Sequence, residues 1–216
     1  IGQHLRDYPH MIEAMRQSAF VKKHSVQFIA TSGKASQPFY FSTRYDQDVA
    51  QTWQVLRSEF DLLLLEQARR RGAEVWEQTT VQQLLQAGSR VGGVRAATGE
   101  GESIEVRAPL TLDATGRDAL AASQFNWRVR DPYLNKVAVW TYYQGAKRDA
   151  GIDAGATTVA FVPEKGWFWY IPQHRDMISV GVVAEGKYLT RDGVRQHERM
   201  FQREVKQNPW IEEHLA

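Results

Sequence analysis

Four consecutive aromatic residues, Trp167-Phe168-Trp169-Tyr170, stand between Gly166 and Ile171-Pro172, and few arrangements of a chain accept them. In a strand, successive side chains point to opposite faces, so the two tryptophans share one face while Phe168 and Tyr170 share the other. Pro172 has no N–H to give to a neighbouring strand and ends the pairing. Either the core covers one face and a packed helix the other, or some of these rings line a cavity.

The remaining composition narrows the choice. The chain has 216 residues, 43% of them hydrophobic, enough to bury one large core or two small ones. With 27 basic against 25 acidic side chains, charge gives no argument for a nucleic-acid partner. The basic run Arg69-Arg70-Arg71 falls at the expected end of a helix just before Gly72, where cations complement the dipole and glycine caps the turn. Absence of cysteine removes disulfides, thiolate metal sites and a cysteine nucleophile, and is compatible with a reducing cytoplasm, the default compartment. No run approaches the roughly 18 apolar residues of a membrane span. The six histidines, at 4, 10, 24, 174, 197 and 214, form no H-x-x-x-H or H-x-H pair, so no metal is expected. A G-x-S-x-G elbow and a phosphate loop are also missing, which removes the hydrolase and NTPase readings.

Periodicity predicts an α+β chain without internal repeats. A helix runs to about Ser18, interrupted at Pro9, with Met11, Ile12 and Met15 on one side. Strands are expected at residues 19–20, 26–29 and 39–41. One amphipathic helix follows over residues 48–71, with Leu56, Phe60, Leu63, Leu64 and Ala68 forming a face that should dock on a sheet. Short strands at 74–80, 81–86, 90–96 and 103–107 form a meander that feeds residues 110–113, with Gly92-Gly93 in a hairpin-like turn. Four strands at 136–143, 157–162, 166–171 and 177–184 build a second antiparallel sheet. A closing helix over 191–206 stops before Pro209.

The stretch Trp167-x-Trp169-x-Ile171-Pro172 resembles the signature of flavin-dependent halogenases, within the larger group of FAD monooxygenase-like proteins. Arg57 to Leu65, followed by Ala68-Arg69-Arg70-Arg71-Gly72-Ala73-Glu74-Val75, resembles the helix and strand of their FAD domain. Asp113-Ala114-Thr115-Gly116-Arg117 resembles their Asp-Ala-Ser-Gly-Arg strand end. The resemblance implies a large mixed or antiparallel substrate-domain sheet packed by helices, interleaved with part of a FAD-binding α/β domain of the p-hydroxybenzoate-hydroxylase type. Residues 1–19 and 45–126 would be the partial FAD module, 20–44 and 127–190 the substrate-binding sheet, and 191–216 a C-terminal helix. No G-x-G-x-x-G follows a strand here. The expectation is therefore an internal piece of a longer flavoprotein, with the fingerprint glycines lying before Ile1-Gly2-Gln3-His4-Leu5 and a Gly-Asp segment after Ala216.

Function follows from the same resemblance. The implied protein is a FAD-dependent oxidoreductase, a halogenase that uses reduced flavin from a separate reductase, oxygen and halide on a small aromatic or carrier-bound substrate. Ala19-Phe20-Val21-Lys22-Lys23-His24 matches the segment carrying the lysine that restrains hypohalous acid, with Lys23 preferred over Lys22; adjacent strand residues cannot both face a site. Trp167 and Trp169 would wall the tunnel, continued by Ile171 and Pro172. Arg57 would hold flavin phosphate or ring oxygen bidentately, and the alternative is a solvated arginine at the helix start. Val81 would offer backbone groups to the adenine. Asp113 and Gly116 would order the strand-end turn near the dinucleotide, the competing reading being an Asx turn. Glu164-Lys165 reads as a solvated turn. A flavin hydroxylase, a polyprenyl-reductase-like flavoprotein and a non-catalytic module binding an apolar ligand remain the alternatives.

Overall fold

A computed structural model describes all residues except 1–4, 6, 46–49 and 165. The Ile1-Gly2-Gln3-His4 stretch, the expected helix start at Asp48 and Lys165 lie outside the described residues. Two compact units divide the chain, residues 1–67 with 134–216 and residues 68–133.

In the first unit, α1 (Pro9–Gln17) begins at the proline that was expected to interrupt it. A proline in the first helical turn lacks only an N–H that would be unsatisfied there anyway. Then come β1 (Val21–Lys23), β2 (Ser25–Ile29), β3 (Phe39–Tyr40) and β4 (Thr52–Gln54). Among the described residues β1 pairs only with β4, through Val21↔Gln54, Lys22↔Trp53 and Lys23↔Thr52, and residues 19–20 form no strand. Use of Thr52–Gln54 in this ribbon shortens the predicted helix to α2 (Arg57–Arg70). No α2 residue is fully buried. Phe60 and Leu63 pack on a small core of Met15, Phe20 and Trp53, while Leu62 and Leu64 are exposed, so the expected apolar face is only half used.

Six described strands form the large sheet, in the order β3-β2-β9-β10-β11-β8, with β8 (Lys136–Gln144), β9 (Thr157–Val162), β10 (Gly166–Pro172) and β11 (Met177–Glu185). β2 and β9 run parallel; the other pairs are antiparallel. The mixed sheet is therefore as expected. β10 alternates as its sequence demands: Phe168 and Tyr170 are buried at 0% and 2% exposure, whereas Trp167, Trp169 and Ile171 are only partly covered. The buried face joins Ile29, Ala160, Val180 and Val182 to Met200, Phe201 and Ile211 in one core. β10 pairs with β9 only as far as Tyr170, so Pro172 faces β11 alone and its missing N–H leaves no β9 acceptor unpaired.

After a short helix α4 (Gly186–Leu189), the closing segment differs from expectation. Residues 191–193 make a 3₁₀ turn, α5 is His197–Val205, and a further helix, α6 (Pro209–Leu215), starts at the proline before which the closing helix was expected to stop. Asn208 explains the start, because its Oδ1 accepts from Trp210 N and Ile211 N. Its amide also donates to the carbonyls of Ala30 and Phe161, at 3.1 and 2.9 Å, from a fully buried position. Asn208→Ala removes a cap and two buried amide-to-carbonyl bonds, although Ala30 O keeps its bond from Gly33 N at 2.9 Å. We expect it to cost about 2–3 kcal/mol, read from a urea unfolding midpoint.

The second unit is a meander of β5 (Thr80–Ala87), β6 (Arg90–Ala97) and β7 (Ser103–Arg107), with α3 (Leu120–Gln124) held on it. Gln124 takes a bond from Leu84 N and gives one to Leu84 O. Residues 74–78 and 110–113 are not strands. Gly92 and Gly93 lie inside β6 rather than in a turn, because a side chain at 93 would run into the backbone of Val106 and Arg107 on β7.

Candidate functional site

The less covered face of the large sheet carries the aromatic side chains that the core excludes. Trp169 stands opposite Gly181, which stands opposite Trp140, and Ile171 opposite Ser179, which stands opposite Tyr142. The Trp169 indole lies across β11 because Gly181 has no side chain. A methyl there would collide with the indole ring and with Trp140 Cβ. The Trp169 indole N–H donates to Ser179 Oγ at 3.1 Å, and Tyr142 meets Trp140 edge-to-face at 5.4 Å. Gly181→Ala should displace the indole and cost about 1–3 kcal/mol through overpacking. A shifted tryptophan emission maximum together with a lowered urea midpoint checks it.

These rings floor a groove of about 440 Å³ whose other wall is Trp53, Gln54, Val55 and Arg57. Gln173 closes one end. Its Nε2 donates to Val55 O at 3.0 Å, while its Oε1 is buried without a partner among the described residues, an acceptor suited to a ligand N–H. Arg57 opens α2 at the rim. Its guanidinium is bidentate to Asp61, one turn on, with both bonds at 3.0 Å, and stays largely exposed. It is thus solvated as well as site-facing, with N–H groups left for an anion. Glu59 on the same turn takes bonds from His174 Nε2 at 2.8 Å and Arg175 at 3.0 Å, which fixes the β10–β11 turn against the helix.

The groove brings together three of the residues singled out from sequence, Arg57, Trp169 and Ile171. Trp167 shares the face of Trp169 but lies beside Phe161 and Val183, and Pro172 points to the buried side; neither lines the groove. Lys23 lies on the neighbouring ribbon. Lys22 is exposed, whereas Lys23 is half-buried, its Nζ 5.7 Å over the Phe41 ring, and burial lowers its pKa. Among the described residues it makes no ion pair. Trp53, Trp140, Tyr142, Gln173 and Ser179 were not anticipated.

In the second unit, Val81 is exposed on β5 and pairs with Ala96. Asp113 organises the strand-end turn. Its Oδ1 accepts from Thr115 N and Oγ1, and its Oδ2 from Ala121 N at 2.8 Å; the hydroxyl and amide bonds hold its carboxyl below the usual range. Gly116 lies in that turn at φ 61° with open space around its Cα.

The family model for tryptophan halogenases matches residues 5–213. This chain belongs to that family. It is 31% identical over 173 residues to tryptophan 2-halogenase of Chondromyces crocatus, covering 79% of this chain and 32% of that protein. A flavin-dependent halogenase of Armillaria mellea is 34% identical over 147 residues, 64% of this chain and 28% of the relative. The solved myxobacterial chondrochloren halogenase, described as FAD-dependent, superposes with a TM-score of 0.82 at 28% identity, over 96% of this chain and 47% of that one. A Cytophaga hutchinsonii flavoprotein/dehydrogenase at 24% identity shares the fold, with a TM-score of 0.84. This tryptophan halogenase family chain thus spans about a third of the curated relatives and about half of the solved one. Among its described residues, no helix is long and apolar enough to cross a membrane.

Proposed function

We propose that this chain is part of a FAD-dependent halogenase acting on a small aromatic or carrier-bound substrate, in the cytoplasm, with reduced flavin delivered by a separate reductase. The observation that carries the reading is the aromatic groove with an exposed guanidinium at its rim and an unpartnered buried amide oxygen at its end. Flat apolar walls, a cation and a free acceptor suit part of a flavin ring system, so the residues present fit the group. Bound reduced FAD would supply, with oxygen and halide, the hypohalous acid.

The chain's own residues have the remaining tasks. Arg57 holds a flavin phosphate or ring oxygen. In the second unit, the residues proposed for dinucleotide contact are Val81, through its backbone groups, and Gly116, in the turn ordered by Asp113, where no side chain would obstruct a ligand. Trp169 and Ile171, with Trp140, exclude water from the groove and keep substrate away from the flavin; Trp167 and Pro172 frame the strand that presents them. Lys23 restrains the oxidant by hydrogen bonding and aims it at substrate.

The test is FAD absorbance on binding and chloride- or bromide-dependent mass gain of an aromatic substrate, with the full-length protein and a flavin reductase. Flavin binding with halogenated product supports the reading. Hydroxylation or reduction instead of halogen transfer moves the protein to the hydroxylase or polyprenyl-reductase class, and ligand uptake without flavin leaves a binding module.

A further inference from the structure

Lys23 ends β1, and two residues later the chain has entered a different sheet at Ser25. That junction is tied to one carboxylate. Asp153, in the 3₁₀ turn Gly151–Gly155, accepts the Ser25 hydroxyl on Oδ1 at 2.6 Å and the Tyr40 hydroxyl on Oδ2 at 2.7 Å. Short O–H···O⁻ bonds of this kind are the stronger class. The same turn also fixes the other side of Lys23. Gly155 lies so close to the Lys22 carbonyl and the Val21 side chain that any side chain there would collide with them. Gln54, facing Val21 across the ribbon, donates to Gly155 O at 3.0 Å and to Thr157 Oγ1 at 2.8 Å.

The aromatic ring beneath Lys23 belongs to the same frame. Phe41 follows Tyr40, and its N–H donates to His24 O at 3.0 Å. Backbone before the lysine, backbone after it and the ring under its ammonium are therefore all referenced to one turn. β2 does not need Asp153 to stay in its sheet, because the parallel ladder to β9 holds it from Val26 onward. What the carboxylate adds is a fixed relation between the two sheets at Ser25, two residues after Lys23. Both its oxygens accept from hydroxyls, and the ammonium has no ion-pair partner among the described residues.

We infer that Asp153 is a positioning residue, which sets the reach of the Lys23 ammonium through Ser25 and Tyr40. This rests on the proposed role of Lys23. The experiment measures, in full-length holoenzyme, how the hypohalous acid divides between halogenated substrate and an added thioether scavenger. Ser25→Ala, Tyr40→Phe and Asp153→Asn are each compared with wild type and with Lys23→Met.

The expected result is a fall in product of about tenfold to a hundredfold, the scale of an ångström-level misplacement. The scavenger should take the difference, with flavin affinity and the substrate KM unchanged. A merely structural tie would lower flavin binding and thermal midpoint without moving that partition. Ser25→Ala and Tyr40→Phe remove only a hydroxyl each, so they decide the matter even if Asp153→Asn fails to fold. Unchanged partition in both, with product lost in Lys23→Met, overturns the positioning role. Retained product in Lys23→Met overturns the lysine reading on which it rests.

Discussion

Replacing Phe168 with alanine should cost about 3–5 kcal/mol of stability, whereas the same truncation one residue later, at Trp169, should cost less than about 2 kcal/mol. Phe168 is fully buried and meets Phe201 edge-to-face at 5.8 Å in the core of the large sheet. The large term is the transfer free energy of the lost ring plus the cavity it leaves. Trp169 stands on the opposite face, and its truncation widens a groove at the surface of the sheet rather than opening a cavity in the core. Its loss should appear instead in function, as product diverted to free oxidant once the wall no longer keeps water out. Urea unfolding of the two variants side by side checks the first half, and coupling of flavin oxidation to product in the full-length protein checks the second. Equal stability losses would mean that the two faces are not as different as their exposure implies.

Lys23→Met should lower halogenated product by about 10²–10³-fold, the range for losing one preorganised hydrogen-bond donor, and should stabilise the protein at neutral pH. The second effect follows from burial. Desolvation lowers the pKa of Lys23 from its ordinary 10.5, so between the lowered value and 10.5 the unfolded chain binds more protons than the folded one. Stability then rises with pH across that window, and the full penalty stands below it. Methionine fills the space without a charge to desolvate. The variant's advantage should therefore be present at pH 7 and shrink as pH approaches 10.5. Denaturant midpoints for both proteins across that range test it; an advantage that does not change with pH would assign the gain to packing.

The alternation of β10 was legible because period two is a local property, and it separated Phe168 and Tyr170 from the tryptophans before any partner was known. The residues facing Trp169 were not legible. Gly181 and Trp140 reach it through strand register, which depends on which strands pair. Trp140-x-Tyr142 does repeat the aromatic spacing of Trp167-x-Trp169, a signal that was there to be matched. Trp53 was hidden by extending the helix pattern back to residue 48, since a three-residue strand carries too little periodicity to compete. At the other end, Asn208-Pro209 carried a helix-start signature, a capping side chain followed by a proline in the first turn, and the proline was read as a stop. Polar ties between distant segments, such as Asp153 with Ser25 and Tyr40, have no local signature at all.

The parallel pairing of β2 with β9 has a consequence for synthesis. On its β9 side, Val26 meets Thr157 and Ile29 meets Ala160, both far along the chain. At elongation rates of about 5–20 residues per second, the early strands leave the ribosome on the order of ten seconds before their sheet exists. Through that interval β2 has, among the described residues, local partners alone: β3 at Ser25 and Val26, a bridge from Ile29 to Ala35, and Ser36 bonded to Phe28. Over that interval β2 is a strand with one edge unfilled, a feature that a chaperone reading exposed apolar strands would recognise.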